Sequence, residues 1–320
     1  MVRTISTEHS LIHNSDAIPA FWQQHVTSGV LTARDGVKLA YALCIPAQPA
    51  ATIVISSGRI EAYLKYQEVM FDLYNQGFAV FTMDHRGQGL SDRMTANPHQ
   101  GFVRDFADYV SDLHLFITEV VSARQPDGER YLLAHSMGCA IGALTTLAHP
   151  SLFQKLVFCS PMFGIRPALP GWIANSLLNM VERRYQKAGQ QEGYFIGQKD
   201  YSPVTFDANH LTHSELRYRL FRDTYANTPE VQLGGVTVHW LRAAMKAMDF
   251  IENNAGDIKQ PVLILSAGDD TVVDNRRQRR VAGLMPDAVL HSCEGAYHEI
   301  LIEADRIREP AMNKILDFLA

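Results

Sequence analysis

The sequence predicts an α/β fold: a mostly parallel central sheet flanked by helices, with a helical cap inserted into it. Three observations carry this. From Thr52 to Cys159, short apolar runs alternate with amphipathic stretches, the pattern of parallel strands joined by crossover helices. The alternation stops after Gly164 and resumes at Pro261, which marks an insertion between two strands of one sheet. Finally, the apolar run Tyr131-Leu132-Leu133 meets the small-residue run Cys139-Ala140-Ile141-Gly142-Ala143-Leu144 across Ala134-His135-Ser136-Met137-Gly138. That is a strand, a sharp turn and a helix, with a serine at the bend.

The elements follow in order. Residues 1 to about 26 form a polar lead-in ending in the amphipathic stretch Ala20-Phe21-Trp22. Gly29 to Ile45 reads as two strands joined at Asp35-Gly36, a hairpin signal. Thr52-Ile53-Val54-Ile55 is a buried strand. Tyr63 to Gln76 has helical apolar spacing and stops at Gly77. Phe78 to Met83 is the next strand, and Phe106 to Val121 a long amphipathic helix. After the serine bend, Lys155-Leu156-Val157-Phe158-Cys159 is another strand, ending at Ser160-Pro161. From Gly164 to about Glu252 the pattern is helical and irregular, with no clear strand. Pro261 to Leu265 and Ala288-Val289-Leu290 complete the sheet. The expected organisation is a core in two parts, residues 1–163 and 253–320, with residues 164–252 as a cap over the site.

Composition narrows the function classes. With 320 residues, the chain suits one domain with a large insertion, or two domains. A formal net charge of −5 argues against nucleic acid, or an anionic membrane held by charge, as the main partner. Cys44, Cys139, Cys159 and Cys293 lack the close pairing of a zinc site and sit among apolar or small residues, so buried reduced thiols are expected. Met1 to Ser10 is polar, without a signal-peptide core, and no stretch has the apolar length of a spanning helix. The expectation is a cytoplasmic protein, with peripheral contact at the inner membrane as the alternative. Oligomeric state is not legible.

A serine hydroxyl becomes a nucleophile only with a base in reach and a partner that orients the base. The bend around Ser136 resembles a nucleophile elbow, in which small residues two positions either side let strand and helix backbones pass closely. Ala134 and Gly138 fill those positions. An acid and then a histidine should follow, each after a strand. His298, in Gly295-Ala296-Tyr297-His298, is the expected base; His291 lies within or beside a strand, and His135 flanks the serine. The acid is Asp269, Asp270 or Asp274. Asp270 is favoured because it stands three positions before Val273, and Asp274 is expected to cap the helix starting at Asn275. The amide of Met137 and that of Arg59, after the tight turn at Gly58, would form an oxyanion hole. The Arg59 side chain itself reads as a surface group. Asp84-His85-Arg86-Gly87-Gln88-Gly89-Leu90-Ser91 lacks the lysine and spacing of a phosphate loop and reads as a structural turn with a buried Asp–Arg network. No metal or other cofactor is expected.

These residues together resemble the α/β-hydrolase superfamily, in which the triad runs Ser, Asp, His. More narrowly, Asp84 to Ser91 is similar to the D-H-R-G-x-G-x-S signature of the monoacylglycerol lipase and lysophospholipase branch. Two departures stand out: Ala134 replaces the usual leading glycine, and Ser57-Gly58-Arg59 replaces the common His-Gly. Gly295 to Leu301 and Val272-Val273-Asp274-Asn275 look closer still to bacterial lysophospholipases of the L-two type. The resemblance covers residues 28 to 320 and implies hydrolysis of the acyl ester of a lysophospholipid, a small-molecule lipid substrate received by the cap. A monoacylglycerol lipase or general carboxylesterase is the alternative.

Support for the lipid from residues alone is thinner. Leu169, Trp172, Ile173, Leu177, Leu178 and Val181 form one apolar stripe in the cap, and Trp240, Leu241, Met245, Met248 and Phe250 a second; either fits domain packing as well as a lipid groove. Arg183, Arg184, Arg217, Arg219 and Arg222 could meet phosphate head groups or form a solvated helix face.

Overall fold

The computed structural model describes residues 5–125, 127–189 and 193–320. Its centre is one sheet of eight strands: β1 (Thr27–Thr32), β2 (Lys38–Cys44), β3 (Thr52–Ser56), β4 (Ala79–Met83), β5 (Arg130–His135), β6 (Lys155–Cys159), β7 (Val262–Ala267) and β8 (Ala288–Cys293). The order is β1-β2-β4-β3-β5-β6-β7-β8. The hairpin β1–β2 and the β2–β4 pair are antiparallel, and the remaining pairs are parallel. Register brings the strand ends level, since Ser56 pairs with Ala134, His135 with Cys159, and Ala267 with Cys293. The loops that follow β3, β5, β7 and β8 therefore open on one edge of the sheet, where ligands bind in open α/β sheets.

The strands are apolar on both faces because both are covered by helices. Side chains alternate in direction along a strand. Val54, Phe81, Leu132, Phe158 and Ile264 enter one buried cluster, while Ile53, Val80, Leu133, Val157 and Leu263 enter another. Two short helices, α1 (Glu8–His13) and α2 (Ala17–His25), form the lead-in that its polarity left unassigned. Thr7 starts α1 with a capping box. The lead-in is tied down by Arg308, which donates to Ser6 O at 3.0 Å and Asp72 at 2.6 Å. Next come α3 (Gln67–Asn75) and α4 (Phe106–Phe116); α4 runs through a wide π turn, Ile117–Val121, into the short α5 (Ser122–Arg124). The helix α6 (Met137–Ala148) starts directly after β5.

Between β6 and β7 lie α7 (Gly171–Lys187), α8 (Glu215–Asn227) and α9 (Val238–Asn254). The two apolar stripes divide between roles. Leu178 and Val181 of α7 are buried, whereas Trp172 is exposed. On α9, Trp240, Ala244, Met248 and Ile251 join the same apolar cluster as α4 and α6, and Phe250 faces out. The last helices are α10 (Asn275–Ala282) and α11 (Asp305–Leu319). All four cysteines are free and buried. Among the described residues, no helix is long and apolar enough to cross a membrane.

Candidate active site

Ser136 stands between the last residue of β5 and the first of α6, with φ 51° and ψ −116°. A non-glycine residue in that region is strained and persists only where its surroundings hold it. They do: Ser136 N donates to Cys159 O at 3.0 Å, and Met162 N donates to Ser136 O at 3.0 Å. Gly138 shows why the turn needs small residues. A Cβ there would lie 2.0 Å from Ser56 O, inside the neighbouring backbone.

The turn brings Ser136 Oγ to 2.9 Å from His298 Nε2. His298 lies in the loop after β8, and its Nδ1 is 2.8 Å from Asp270 Oδ2. The other oxygen of Asp270 accepts from the amides of Val272 at 2.8 Å and Val273 at 3.0 Å. Burial would raise the pKa of Asp270, but His298 and these two amides outweigh it and hold the carboxyl below the ordinary range. All three side chains are buried.

The alternatives go elsewhere. Asp269 is exposed. Asp274 accepts from Arg276 N at 2.9 Å and caps α10. His291 sits in β8 opposite Leu265. His135 packs its ring 4.9 Å from that of His298 and lies 3.2 Å, through Nε2, from the His298 carbonyl. Ser160, which sequence reasoning passed over as a strand ending, donates to the same carbonyl at 2.7 Å. Its one visible signal was its position after β6, at the same sheet edge.

Two backbone amides are the expected oxyanion donors. That of Met137 opens α6, where the first N–H groups have no intrahelical acceptor. That of Arg59 makes no hydrogen bond among the described residues. The amide of Gly58, one residue earlier, is taken by Glu61 Oε2. The loop is also clamped from the Asp84 to Ser91 turn, where Gln88 Nε2 donates to Gly58 O at 2.8 Å and Glu61 O at 3.0 Å. Asp84 accepts from Tyr63 N at 2.5 Å and Leu90 N at 2.7 Å; its burial pushes its pKa up to about 7. The arginine of this turn, Arg86, pairs with Asp112 of α4 at 2.6 Å and with Asp35 at 2.7 Å.

Beside the serine lies a buried charge cluster that the sequence did not reveal. Lys65 Nζ is 2.6 Å from Glu61 and 2.7 Å from Glu299. His135 Nδ1 is 3.2 Å from Glu61. Burial opposes a charge on His135, but Glu61 and Glu299 override it and raise its pKa to about 9. Glu61, His135 and Glu299 hold ligand-type atoms within 4.8 Å of one another, and the Lys65 ammonium supplies positive charge between the two carboxylates.

Arg59 is not the surface group expected of its side chain. It is partly buried, its guanidinium lies 5.4 Å from the Trp240 ring, and it donates to Gly234 O at 2.5 Å. It lines, with Ser136 and His298, a cavity of about 1320 Å³. Leu177, Leu178, Leu233, Leu241, Met245 and Met248 line the same cavity, so both apolar stripes contribute to it.

Comparison with known proteins agrees with this architecture. The family described as serine aminopeptidase, S33, a hydrolase family, matches residues 47–305. The chain is 39% identical over 306 residues to lysophospholipase L2 of Escherichia coli, covering 93% of this chain and 88% of that one. It is 26% identical over 274 residues to monoglyceride lipase of Rattus norvegicus, covering 83% and 81%. Among solved structures, a soluble variant of monoglyceride lipase from Saccharomyces cerevisiae superposes with a TM-score of 0.72 at 17% identity, covering 92% and 95%. The chain belongs to the serine aminopeptidase S33 family, and its fold is that of the α/β-hydrolases.

Proposed function

We propose that this member of the S33 family removes the acyl chain of a lysophospholipid through Ser136, His298 and Asp270, by way of an acyl-enzyme. The chain is a carboxylic ester hydrolase, and lipid esters are its substrates. The observation that carries the finer reading is the approach of His298 Nε2 to Ser136 Oγ at the wall of a large, mainly apolar cavity.

In this reading, Ser136 Oγ attacks the ester carbonyl carbon and its proton passes to His298 Nε2. Asp270 holds the ring and stabilises the imidazolium. The amides of Met137 and Arg59 receive the developing oxyanion. One such donor is worth about 3 kcal/mol in the transition state. The tetrahedral intermediate collapses, and the glycerophosphoryl alcohol leaves with the proton from His298. Water, deprotonated by His298, then attacks the acyl-enzyme. The fatty acid departs and Ser136 recovers its proton. Residues 164–252 serve as the cap, and the stripes of α7 and α9 receive the acyl chain. The substrate is met as a small molecule or at a membrane surface touched peripherally.

The test is an ester panel of one acyl chain carried on lysophosphatidylethanolamine, on glycerol and on a short alcohol. Labelling with a fluorophosphonate runs beside it. The expected result is labelling that disappears in Ser136→Ala, with the lysophospholipid as the best substrate. Equal or faster turnover of the monoglyceride would overturn the head-group assignment. A folded wild type that takes no label would overturn the triad.

A further inference from the structure

We propose that Arg59 and Arg222 form a subsite for a phosphodiester anion, which selects the head group of the lipid. This deepens the substrate reading above and rests on it.

The inference starts from how the fold treats several of its other arginines. Arg217 is buried against Glu68 at 2.9 Å and Asp305 at 2.8 Å, so it is committed to the fold and is no head-group ligand. Arg308 pairs with Asp72 at 2.6 Å. Arg277 lines the cavity but pairs with Asp249 at 2.6 Å. Arg183 and Arg184 line a separate pocket on α7. A desolvated cation is costly unless paired, and these ion pairs follow that rule.

Arg59 and Arg222 depart from it, as do Arg93 and Arg130 away from the cavity and Arg166 at its wall, which donates to Val273 O at 3.2 Å. Arg59 and Arg222 both line the cavity that holds Ser136, and neither has a carboxylate within ion-pair distance among the described residues. Arg59 donates to one carbonyl, Gly234 O. Arg222 donates to two phenol oxygens, Tyr218 at 2.9 Å and Tyr201 at 3.4 Å. In each, Nε is buried without a hydrogen-bond partner. Aromatic faces hold both groups in place: Trp240 under Arg59, and Phe221 and Tyr218 at 4.7 and 4.9 Å from Arg222.

Segments that bond to the two arginines touch one another. A Cβ on Gly234 would lie 2.5 Å from Lys199 O and 2.8 Å from Tyr201 N. The acceptor of Arg59 and the Tyr201 partner of Arg222 thus sit on touching segments. Acids on the cavity wall are already engaged. Glu61 and Glu299 hold Lys65, and Asp200 accepts from Asn97 at 2.8 Å and Tyr194 at 2.5 Å. A guanidinium fork matches the oxygens of a phosphodiester and can bind them in pairs. Position agrees: Arg59 would carry the oxyanion donor on its backbone and the head-group cation on its side chain. In a lysophospholipid only the glycerol separates the ester from the phosphate.

The experiment measures kcat/KM for lysophosphatidylethanolamine and for the monoglyceride of the same acyl chain, on wild type, Arg59→Gln, Arg222→Gln and the two Arg→Lys variants. Each Gln variant should lower the ratio of the two values by about ten- to a hundredfold, mainly through KM. The Lys variants should recover part of it. An unchanged ratio in variants that still label with fluorophosphonate would overturn the subsite while leaving the triad standing. Wild type without label would instead overturn the reading beneath it. A second arm needs no variant: inhibition of monoglyceride hydrolysis by glycerophosphoethanolamine, glycerol and inorganic phosphate at fixed ionic strength. Competitive inhibition by the diester, and none by glycerol, supports the proposal. Absence of inhibition by the diester counts against it. Inhibition by inorganic phosphate alone assigns the arginines to free phosphate and overturns the head-group role.

Discussion

His135 offers a pH test of the buried charge cluster. Its ring is 2% exposed and faces Glu61 and Glu299, with Lys65 bonded to the same two carboxylates. Burial disfavours the imidazolium, the carboxylates favour it more, and its pKa rises from 6.5 to about 9. A group that binds its proton more tightly when folded stabilises the fold fully below its unfolded value and loses that contribution as pH climbs through the folded value. The window is therefore pH 6.5 to about 9. Each tenfold in proton affinity is worth about 1.4 kcal/mol, so the contribution lost is roughly 3 kcal/mol. Urea unfolding of wild type and His135→Gln, at steps across that window, reads it directly. Wild type should lose roughly 3 kcal/mol more than the variant over this range. Asp84, whose burial raises its pKa to about 7, titrates in both proteins and drops out of the difference. Parallel curves would refute the reasoning, since they would mean that His135 is neutral in the fold.

Three further outcomes are expected. Asp270→Asn should lower kcat by about 10⁴-fold with little change in KM, because the amide presents the wrong partner to His298 Nδ1; a loss under tenfold would remove Asp270 from the triad. In Gly138→Ala the new methyl meets Ser56 O, so β3 must shift; stability should fall by about 1–3 kcal/mol with kcat falling beside it, and an unaltered enzyme would show that the contact relaxes freely. Arg86→Met strands the buried Asp112 and should cost about 3–5 kcal/mol in urea unfolding; a cost below about 1 kcal/mol would show that Asp112 finds another partner or a proton.

Much of this was written in local pattern. Apolar runs buried on both faces announce parallel strands, and the register levels their ends. The meeting of Ser136, Asp270 and His298 was legible because each follows its own strand, and parallel strands place their following loops on one edge. The π turn at Ile117–Val121 was not, since apolar spacing continues across it. Nor were the lead-in helices, whose polar faces hide them and whose anchorage depends on Arg308, far along the chain.

The sequence by itself determined the sheet, the sharp turn at Ser136 and the chain order of Ser136, Asp270 and His298, because those depend on neighbours a few residues apart and on strand alternation. Only tertiary structure decided the electrostatics. Glu299 on Lys65, Glu61 facing His135, Arg217 locked into the fold by Glu68, and Arg59 reaching Gly234 at the cavity wall are meetings of residues distant in the chain. Periodicity shows which side chains are buried. It does not show which charge lies within a few ångströms of another, and in a low-dielectric interior that distance decides the energy.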